Sequence, residues 1–178
     1  GAGGWRLGYF IIPDELYEIK NMIKILASET FSAVSAPIQY AAIKAYENDH
    51  SNYISKSINI LSAVGKYVFS NLKSNKVLIS EPHGGFYLMP EFLNKKFKTS
   101  SEMCANILKN TGVALLPGSD FGFKKNKMLV RLSFTDFDGQ LFMDQIEDDQ
   151  IVKYEEIKMY APKIVEGVEK LKKWSESL

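Results

Sequence analysis

The sequence contains little cysteine, little histidine and almost no net charge. Its one cysteine, Cys104, excludes an internal disulfide and fits a reducing compartment, so a cytoplasmic location is predicted. The two histidines, His50 and His83, are far apart and Cys104 has no partner at metal-ligand spacing, so no metal site is predicted. A formal net charge of +1 argues against nucleic acid or an anionic membrane as the main partner.

Long hydrophobic runs are also missing. None approaches the length that a bilayer requires, so no membrane crossing is predicted, and no secretory signal pattern is visible. The 178 residues are nevertheless 46% hydrophobic and 24% charged, which is typical of a chain with a folded core. The length fits one domain of ordinary size, or one and a fraction.

Arginine is scarce, because all but two of the 22 basic residues are lysines. The two exceptions are Arg6 and Arg131. An arginine side chain has a rigid planar fork that binds a phosphate or carboxylate through two parallel hydrogen bonds, and lysine cannot replace it there. On composition alone, a chance survival of two surface arginines explains the pattern equally well.

The first part of the chain shows mostly helical periodicity. Residues 9–12 form a short apolar run that is typical of a buried strand, and Pro13 ends it. Apolar spacing and capping residues predict helices over residues 16–26, 37–46 and 52–72. The small and polar residues 28–36 between them predict a loop.

The second part of the chain alternates strands with helices. Strands are predicted at four places, namely residues 77–79, 85–89, 113–116 and 128–134. A helix with a capping-box spacing, Thr99 to Glu102, is predicted to end at Gly112. Within the last strand the alternation places Arg131 on the face opposite to Val130 and Leu132.

Five short motifs follow one another in order over residues 3–134. They are GWRLGY at 4–9, SAPIQYAA at 35–42, PHGGFYLMP at 82–90, PGSDFG at 117–122 and VRLSF at 130–134. In this order they resemble class I and II aminotransferases, which are pyridoxal-phosphate enzymes of fold type I. The first motif resembles the stretch that follows the Schiff-base lysine of that family, and the last resembles the strand with the substrate-binding arginine. Each motif is short, but their common order makes the match specific.

The resemblance implies an α/β architecture with an α+β small domain, as in the C-terminal part of a fold-type-I transferase. Residues 1–51 would then be the end of the large, cofactor-binding domain, residues 52–74 the connecting helix and residues 75–178 the small domain. The acidic residues 138–161 look like an insertion relative to the family. We expect a solvated charged face or loop there, although a cover over the site entrance is the alternative. The last helix is expected to begin at Pro162.

The resemblance also assigns the two arginines. Arg6 would bind the phosphate of pyridoxal 5'-phosphate, and Arg131 would bind the α-carboxylate of the substrate. The two arginines of a lysine-rich chain thus fall on the two anion-binding arginines of the family, which weakens the explanation by chance. The Schiff-base lysine of the family would precede Gly4, where this chain has no lysine. No catalytic residue is therefore assigned, and the chain alone is expected to be inactive.

The implied parent protein would transfer an amino group between an amino acid and a 2-oxo acid, as a homodimer. Residues 28–35 are the predicted loop that reaches the neighbouring subunit's site. Two alternatives stay open on the sequence. The chain could be a non-catalytic dimerisation or regulatory module of the same fold, or part of a pyridoxal-phosphate-dependent lyase or synthase.

Overall fold

A computed structural model describes residues 3–31, 33–148 and 150–177. The chain divides into two compact units, Gly1–His50 and Ser51–Leu178. We refer to them as the N-terminal unit and the C-terminal unit. Among the described residues, no helix combines the length and the apolar character that crossing a membrane requires.

The N-terminal unit consists of two helices and irregular backbone. Helix α1 spans Tyr17–Thr30 and helix α2 spans Ala36–Glu47, with Pro37 in the first turn of α2. Short 3-10 turns occur at Gly3–Trp5 and Asp14–Leu16. None of the described residues of this unit is buried.

One prediction for the N-terminal unit is wrong and another is confirmed only in part. Residues 9–12 form no strand, because a strand needs a neighbour to pair with and the described part of this unit contains none. The loop predicted at residues 28–36 is shorter than expected, since α1 continues to Thr30. Ser32 lies outside the described residues.

The C-terminal unit contains five helices and five short strands among its described residues. The helices are α3 (Ser51–Leu72), α4 (Ser100–Thr111), α5 (Gly139–Gln145), α6 (Tyr154–Tyr160) and α7 (Pro162–Glu176). The strands are β1 (Val77–Leu78), β2 (Tyr87–Leu88), β3 (Glu91–Phe92), β4 (Leu116–Pro117) and β5 (Val130–Ser133). The predicted helices and strands of this region are confirmed in kind, although the strands are shorter than predicted.

The strands form two small antiparallel sheets. In the larger sheet β5 lies between β2 and β4, with Leu88 opposite Leu132 and Leu116 opposite Arg131. In the smaller sheet β1 pairs with β3. A single bridge between Glu91 and Leu129 connects the two sheets. Strand β5 is therefore the central element around which the others are arranged.

The core lies between the sheets and helices α3, α4 and α7. It includes the buried side chains Ile60, Val64, Val68, Leu72, Phe92, Met103, Ile107, Val130, Phe134, Phe142 and Leu171. Helix α3 approaches the sheet closely at Gly65, where an added Cβ would lie 3.0 Å from Cζ of Phe134. Helix α4 has the predicted ends, because Thr99 accepts a hydrogen bond from the Glu102 backbone and Gly112 is left-handed at φ +75°.

The acidic segment at residues 138–161 is packed onto the unit. Five of its apolar side chains, among them Phe142 and Ile157, are buried, and α5 and α6 form within it. The Lys56 ammonium of α3 donates to the Ile146 carbonyl at 2.8 Å and pairs with the Asp148 carboxylate at 3.2 Å. The expected solvated charged face is confirmed, since nearly all described acidic side chains of the segment are exposed. The expectation of a loop is wrong, because apolar residues between the acidic ones pack against α3 and the segment forms α5 and α6.

Candidate functional site

Arg131 lies on strand β5, which determines its position. The flanking residues Val130 and Leu132 are buried in the core, as the alternation predicted. Arg131 lies on the opposite face and is half-buried. Because β5 is the central strand of its sheet, the backbone at Arg131 is held from both sides by β2 and β4.

Two aromatic rings lie against the guanidinium of Arg131. Its Cζ is 4.4 Å from the ring centroid of Tyr87 and 4.4 Å from that of Phe121. Both distances are well within the range of cation–π contacts. Tyr87 belongs to β2, and Phe121 ends the 3-10 turn Gly118–Phe121 that follows β4.

The Nε atom of Arg131 is buried and has no hydrogen-bond partner. An unpartnered buried donor is unfavourable by about 1–3 kcal/mol, so it calls for an explanation in a native structure. In the described part of the chain no carboxylate forms an ion pair with Arg131. An arginine that is always charged, partly desolvated and unpaired is suited to bind an anion from outside the chain.

The turn that carries Phe121 requires glycine at its first position. The Gly118 N–H donates to the Leu129 carbonyl at 2.8 Å, and a Cβ at Gly118 would lie 2.8 Å from that same oxygen. Gly122 closes the turn in the left-handed region at φ +83°. The glycines of the motif PGSDFG thus allow the turn to lie on β5 next to Arg131.

Arg6 has a different local structure. It is exposed, and its φ of +57° is the one positive φ found outside glycine among the described residues. The Arg6 N–H donates to the Gly3 carbonyl at 3.2 Å, and its Nη1 lies 3.4 Å from the same oxygen. A left-handed backbone at a residue with a side chain is strained by roughly 1–3 kcal/mol, and such strain concentrates at functional sites.

The two predicted site residues belong to different units, Arg6 to the N-terminal unit and Arg131 to the C-terminal unit. Sequence reasoning did not give Tyr87 or Phe121 a role at Arg131. Tyr87 lies in the motif PHGGFYLMP and Phe121 in the motif PGSDFG, and neither motif indicates a contact with Arg131. The register between β2 and β5, which places Tyr87 near Arg131, cannot be read from the sequence.

Other reactive groups do not extend the site. Burial raises the pKa of the Cys104 thiol to about 11, and the Asp120 carboxylate adds to the rise, so this thiol is a poor nucleophile at neutral pH. Within residues 3–31, 33–148 and 150–177, no three His, Cys, Asp or Glu side chains are arranged to hold a metal ion.

Known proteins resemble this chain in both sequence and structure. Residues 1–140 match the family described as aminotransferase class I and II. The aspartate aminotransferase of Sulfolobus acidocaldarius is 31% identical over 74% of this chain and 32% of its own length. The aspartate aminotransferase of Thermotoga maritima is 33% identical over 82% of this chain and 35% of its own length.

A solved structure supports the same fold. The alanine aminotransferase of Pyrococcus furiosus superimposes with a TM-score of 0.68 at 23% identity, over 99% of this chain and 39% of that protein. The chain thus spans about a third of the length of the curated relatives it matches. Its architecture is that of part of a fold-type-I aminotransferase.

Proposed function

The chain belongs to the class I and II aminotransferase family, and we propose that it works as part of a pyridoxal-phosphate-dependent aminotransferase. Such an enzyme transfers an amino group from an amino acid to a 2-oxo acid. In this proposal residues 1–51 end the large domain, residues 52–74 connect the domains and residues 75–178 form the small domain. Because the matched relatives are about three times as long, the complete activity requires polypeptide beyond this chain.

The environment of Arg131 is the observation that carries the proposal. Its guanidinium is half-buried against two aromatic rings, unpaired with any described carboxylate, and has a buried Nε without a partner. The planar fork of an arginine matches a carboxylate through two charge-assisted hydrogen bonds. We therefore assign Arg131 to the α-carboxylate that all amino-acid and 2-oxo-acid substrates share.

Arg131 contributes to the reaction by orienting the substrate. A carboxylate held at two points cannot rotate freely, so the bonds at the adjacent Cα keep one direction in space. Orientation of this kind decides which Cα bond is aligned for cleavage. The role also explains a requirement for arginine, since lysine offers the same charge without the planar fork.

The residues near Arg6 fit a phosphate group. The guanidinium is exposed, the space beside the neighbouring glycines Gly4 and Gly8 is open, and no described carboxylate pairs with Arg6. Glycines allow backbone to approach a ligand closely, and an arginine beside them suits a phosphate. We propose that Arg6 holds the phosphate of pyridoxal 5'-phosphate. When bound, this cofactor supplies an electron-withdrawing ring that stabilises negative charge at the substrate Cα.

The assembly and the location are further parts of the proposal. We propose a homodimer, in which part of the large apolar surface of the N-terminal unit is covered by polypeptide outside this chain. We propose a cytoplasmic location, since the single cysteine of the chain is buried and unpaired.

The main test is the substitution Arg131→Lys in the complete protein. The kcat/KM for an amino acid should fall by about ten- to a hundredfold, because charge-assisted hydrogen bonds worth roughly 1.5–3 kcal/mol are lost. The kcat/KM for the amine with the same side chain, which lacks the carboxylate, should change little. An equal loss on both substrates would show that Arg131 does not bind the carboxylate.

Arg6→Lys is the matched comparison, since it should weaken cofactor affinity, and excess pyridoxal phosphate should partly restore activity.

A second test uses the 178-residue chain alone. The first motif has no lysine before it in this chain, so we expect no transaminase activity and no single preferred lysine for the cofactor. After incubation with pyridoxal phosphate and borohydride reduction, peptide mapping should find labels scattered over surface lysines. One dominant labelled lysine together with activity would contradict this expectation.

A further inference from the structure

We propose that Tyr87 and Phe121 form an aromatic clamp that positions Arg131, so that its guanidinium binds a carboxylate through the two terminal Nη groups. The inference rests on the proposed function, because it takes the carboxylate as the ligand of Arg131. It adds two positioning residues and the side of the guanidinium at which the ligand binds.

The register of the sheet places Tyr87 at Arg131. Tyr87 lies directly opposite Ser133, and Ser133 is two positions after Arg131 on the same face of β5. Tyr87 and Arg131 are therefore diagonal neighbours, a separation of roughly 7–8 Å that long side chains can bridge. The observed distance of 4.4 Å from the Arg131 Cζ to the Tyr87 centroid shows that they do.

The second ring, that of Phe121, belongs to the turn after β4. Leu116 of β4 is opposite Arg131, and Phe121 follows five residues later in the turn that Gly118 anchors to the Leu129 carbonyl. The Phe121 centroid is also 4.4 Å from the Arg131 Cζ. Two elements that are far apart in sequence thus hold one guanidinium.

The buried Nε determines how a ligand can approach. Side-on binding of a carboxylate to arginine uses Nε and one Nη, but Nε has neither solvent contact nor a partner in this structure. A carboxylate oxygen cannot reach an atom that water does not reach. Binding through the two Nη atoms is the remaining way to form two parallel hydrogen bonds.

The clamp strengthens binding in two ways. Ring contacts restrict the rotation of a long side chain before the ligand arrives, so less conformational freedom is lost on binding. Partial desolvation by the rings also increases the attraction between the guanidinium and an anion. Removing one ring should therefore weaken carboxylate binding by about three- to tenfold.

The scarcity of arginine makes a direct experiment possible on the chain itself. In a nitrogen-15-labelled Arg6→Lys variant, Arg131 is the one remaining source of an arginine Nε–Hε signal. We expect this signal to be shifted upfield by the rings and to exchange slowly with water. In the unsubstituted chain the exposed Arg6 serves as an internal reference. If the two arginine signals have the same shift and the same exchange rate, the clamp is overturned, whatever the variants below show.

Acetate is the carboxylate probe, titrated at constant ionic strength against chloride. Acetate should move the Arg131 signal and chloride should not. Tyr87→Leu and Phe121→Leu should each raise the acetate Kd by about three- to tenfold and reduce the upfield shift. Tyr87→Phe and Phe121→Tyr keep the rings and should behave like the reference. Phe123→Leu is the matched control, since Phe123 lies on the same loop with its ring near the Lys127 ammonium.

The outcomes separate the clamp from the proposed function. If acetate does not move the Arg131 signal even in the reference, Arg131 does not bind a carboxylate and the proposed role of this residue fails. If acetate binds normally and equally in the leucine variants, the clamp is wrong while the role of Arg131 stands. If weaker binding is confined to variants that lack a ring, both are supported.

Discussion

The two units of the molecule differ in how far their apolar side chains are buried. In the described part of the N-terminal unit no residue is buried, and Phe10 and Ile11 are 67% and 84% exposed. In the C-terminal unit the helices and strands enclose a continuous core, where Phe134 is 1% exposed. Both units nevertheless contain helices with apolar periodicity. The apolar periodicity of a helix therefore predicts that one face is buried, but it does not predict which part of the polypeptide packs against that face.

The exposed apolar residues of the N-terminal unit are too numerous for an ordinary free surface. They include Trp5, Tyr9, Phe10, Ile11, Met22, Ile25, Leu26, Tyr40 and Tyr46. An apolar groove of about 340 Å³ also lies along α2, lined by Trp5, Leu7 and small residues of the helix. Large exposed apolar patches are typical of interfaces. We expect polypeptide outside this chain to cover it, in agreement with a chain that spans about a third of its relatives.

The largest expected effect comes from separating the units. A fragment of residues 51–178 should unfold in one cooperative thermal transition, because it retains the whole core, whereas a peptide of residues 1–50 should show none. The intact chain should bind a hydrophobic dye and self-associate, and the fragment should do so much less. The measurements are calorimetry, dye fluorescence and light scattering. A monomeric intact chain without dye binding would favour a module that needs no further cover.

Substitution of single phenylalanines by alanine should show the same difference in burial between the two units. Phe134→Ala should lower the free energy of unfolding of the C-terminal unit by about 3–5 kcal/mol, since the ring is buried and touches Gly65 of α3. The matched control Phe10→Ala should change it by less than about 0.5 kcal/mol, because its ring is exposed. Urea denaturation of both variants provides the comparison. Similar losses in the two variants would mean that Phe10 is buried in solution.

A smaller effect is expected where the acidic segment meets α3. Lys56→Met should destabilise the C-terminal unit by about 1–2 kcal/mol, because the hydrogen bond to the Ile146 carbonyl and the ion pair with Asp148 are lost. Lys66→Met on the same helix is the control, since Lys66 is exposed. Hydrogen exchange should rise first in residues 139–148. Uniform exchange across the unit would contradict a local attachment at Lys56.

The smallest effect concerns the pH dependence of stability. Burial raises the pKa of the Cys104 thiol from 9.0 to about 11. Because the folded pKa is the higher one, the stabilising contribution is complete below pH 9 and is lost as the pH rises towards 11. The loss should be about 1 kcal/mol or less, since the surroundings of the buried thiol are only partly desolvated. In denaturation at several pH values, the stability difference between the unsubstituted chain and Cys104→Ala should narrow over this range. A constant difference would show that the thiol has an ordinary pKa.

Much of the fold could be predicted from the sequence where local signals and the tertiary structure agree. The cap at Thr99, the left-handed Gly112 and the start of the last helix at Pro162 are local features, and each appears where predicted. The irregular backbone at residues 9–12 could not be predicted from their apolar run, because a strand forms only beside a partner strand and the described part of this unit contains none. The charges of the acidic segment correctly predict a solvated face, but its packing could not be predicted from them, because it depends on the buried Phe142 and Ile157.

The sequence by itself determined that two arginines stand among many lysines, and that Arg131 lies on the strand face opposite to Val130 and Leu132. Alternation along a strand is a property of the extended backbone, so it needs no knowledge of neighbouring elements. Only the tertiary structure decided that Tyr87 and Phe121 meet the guanidinium and that Nε is closed to water. These contacts arise from the pairing of β2 and β4 with β5, which brings together residues that no local pattern connects.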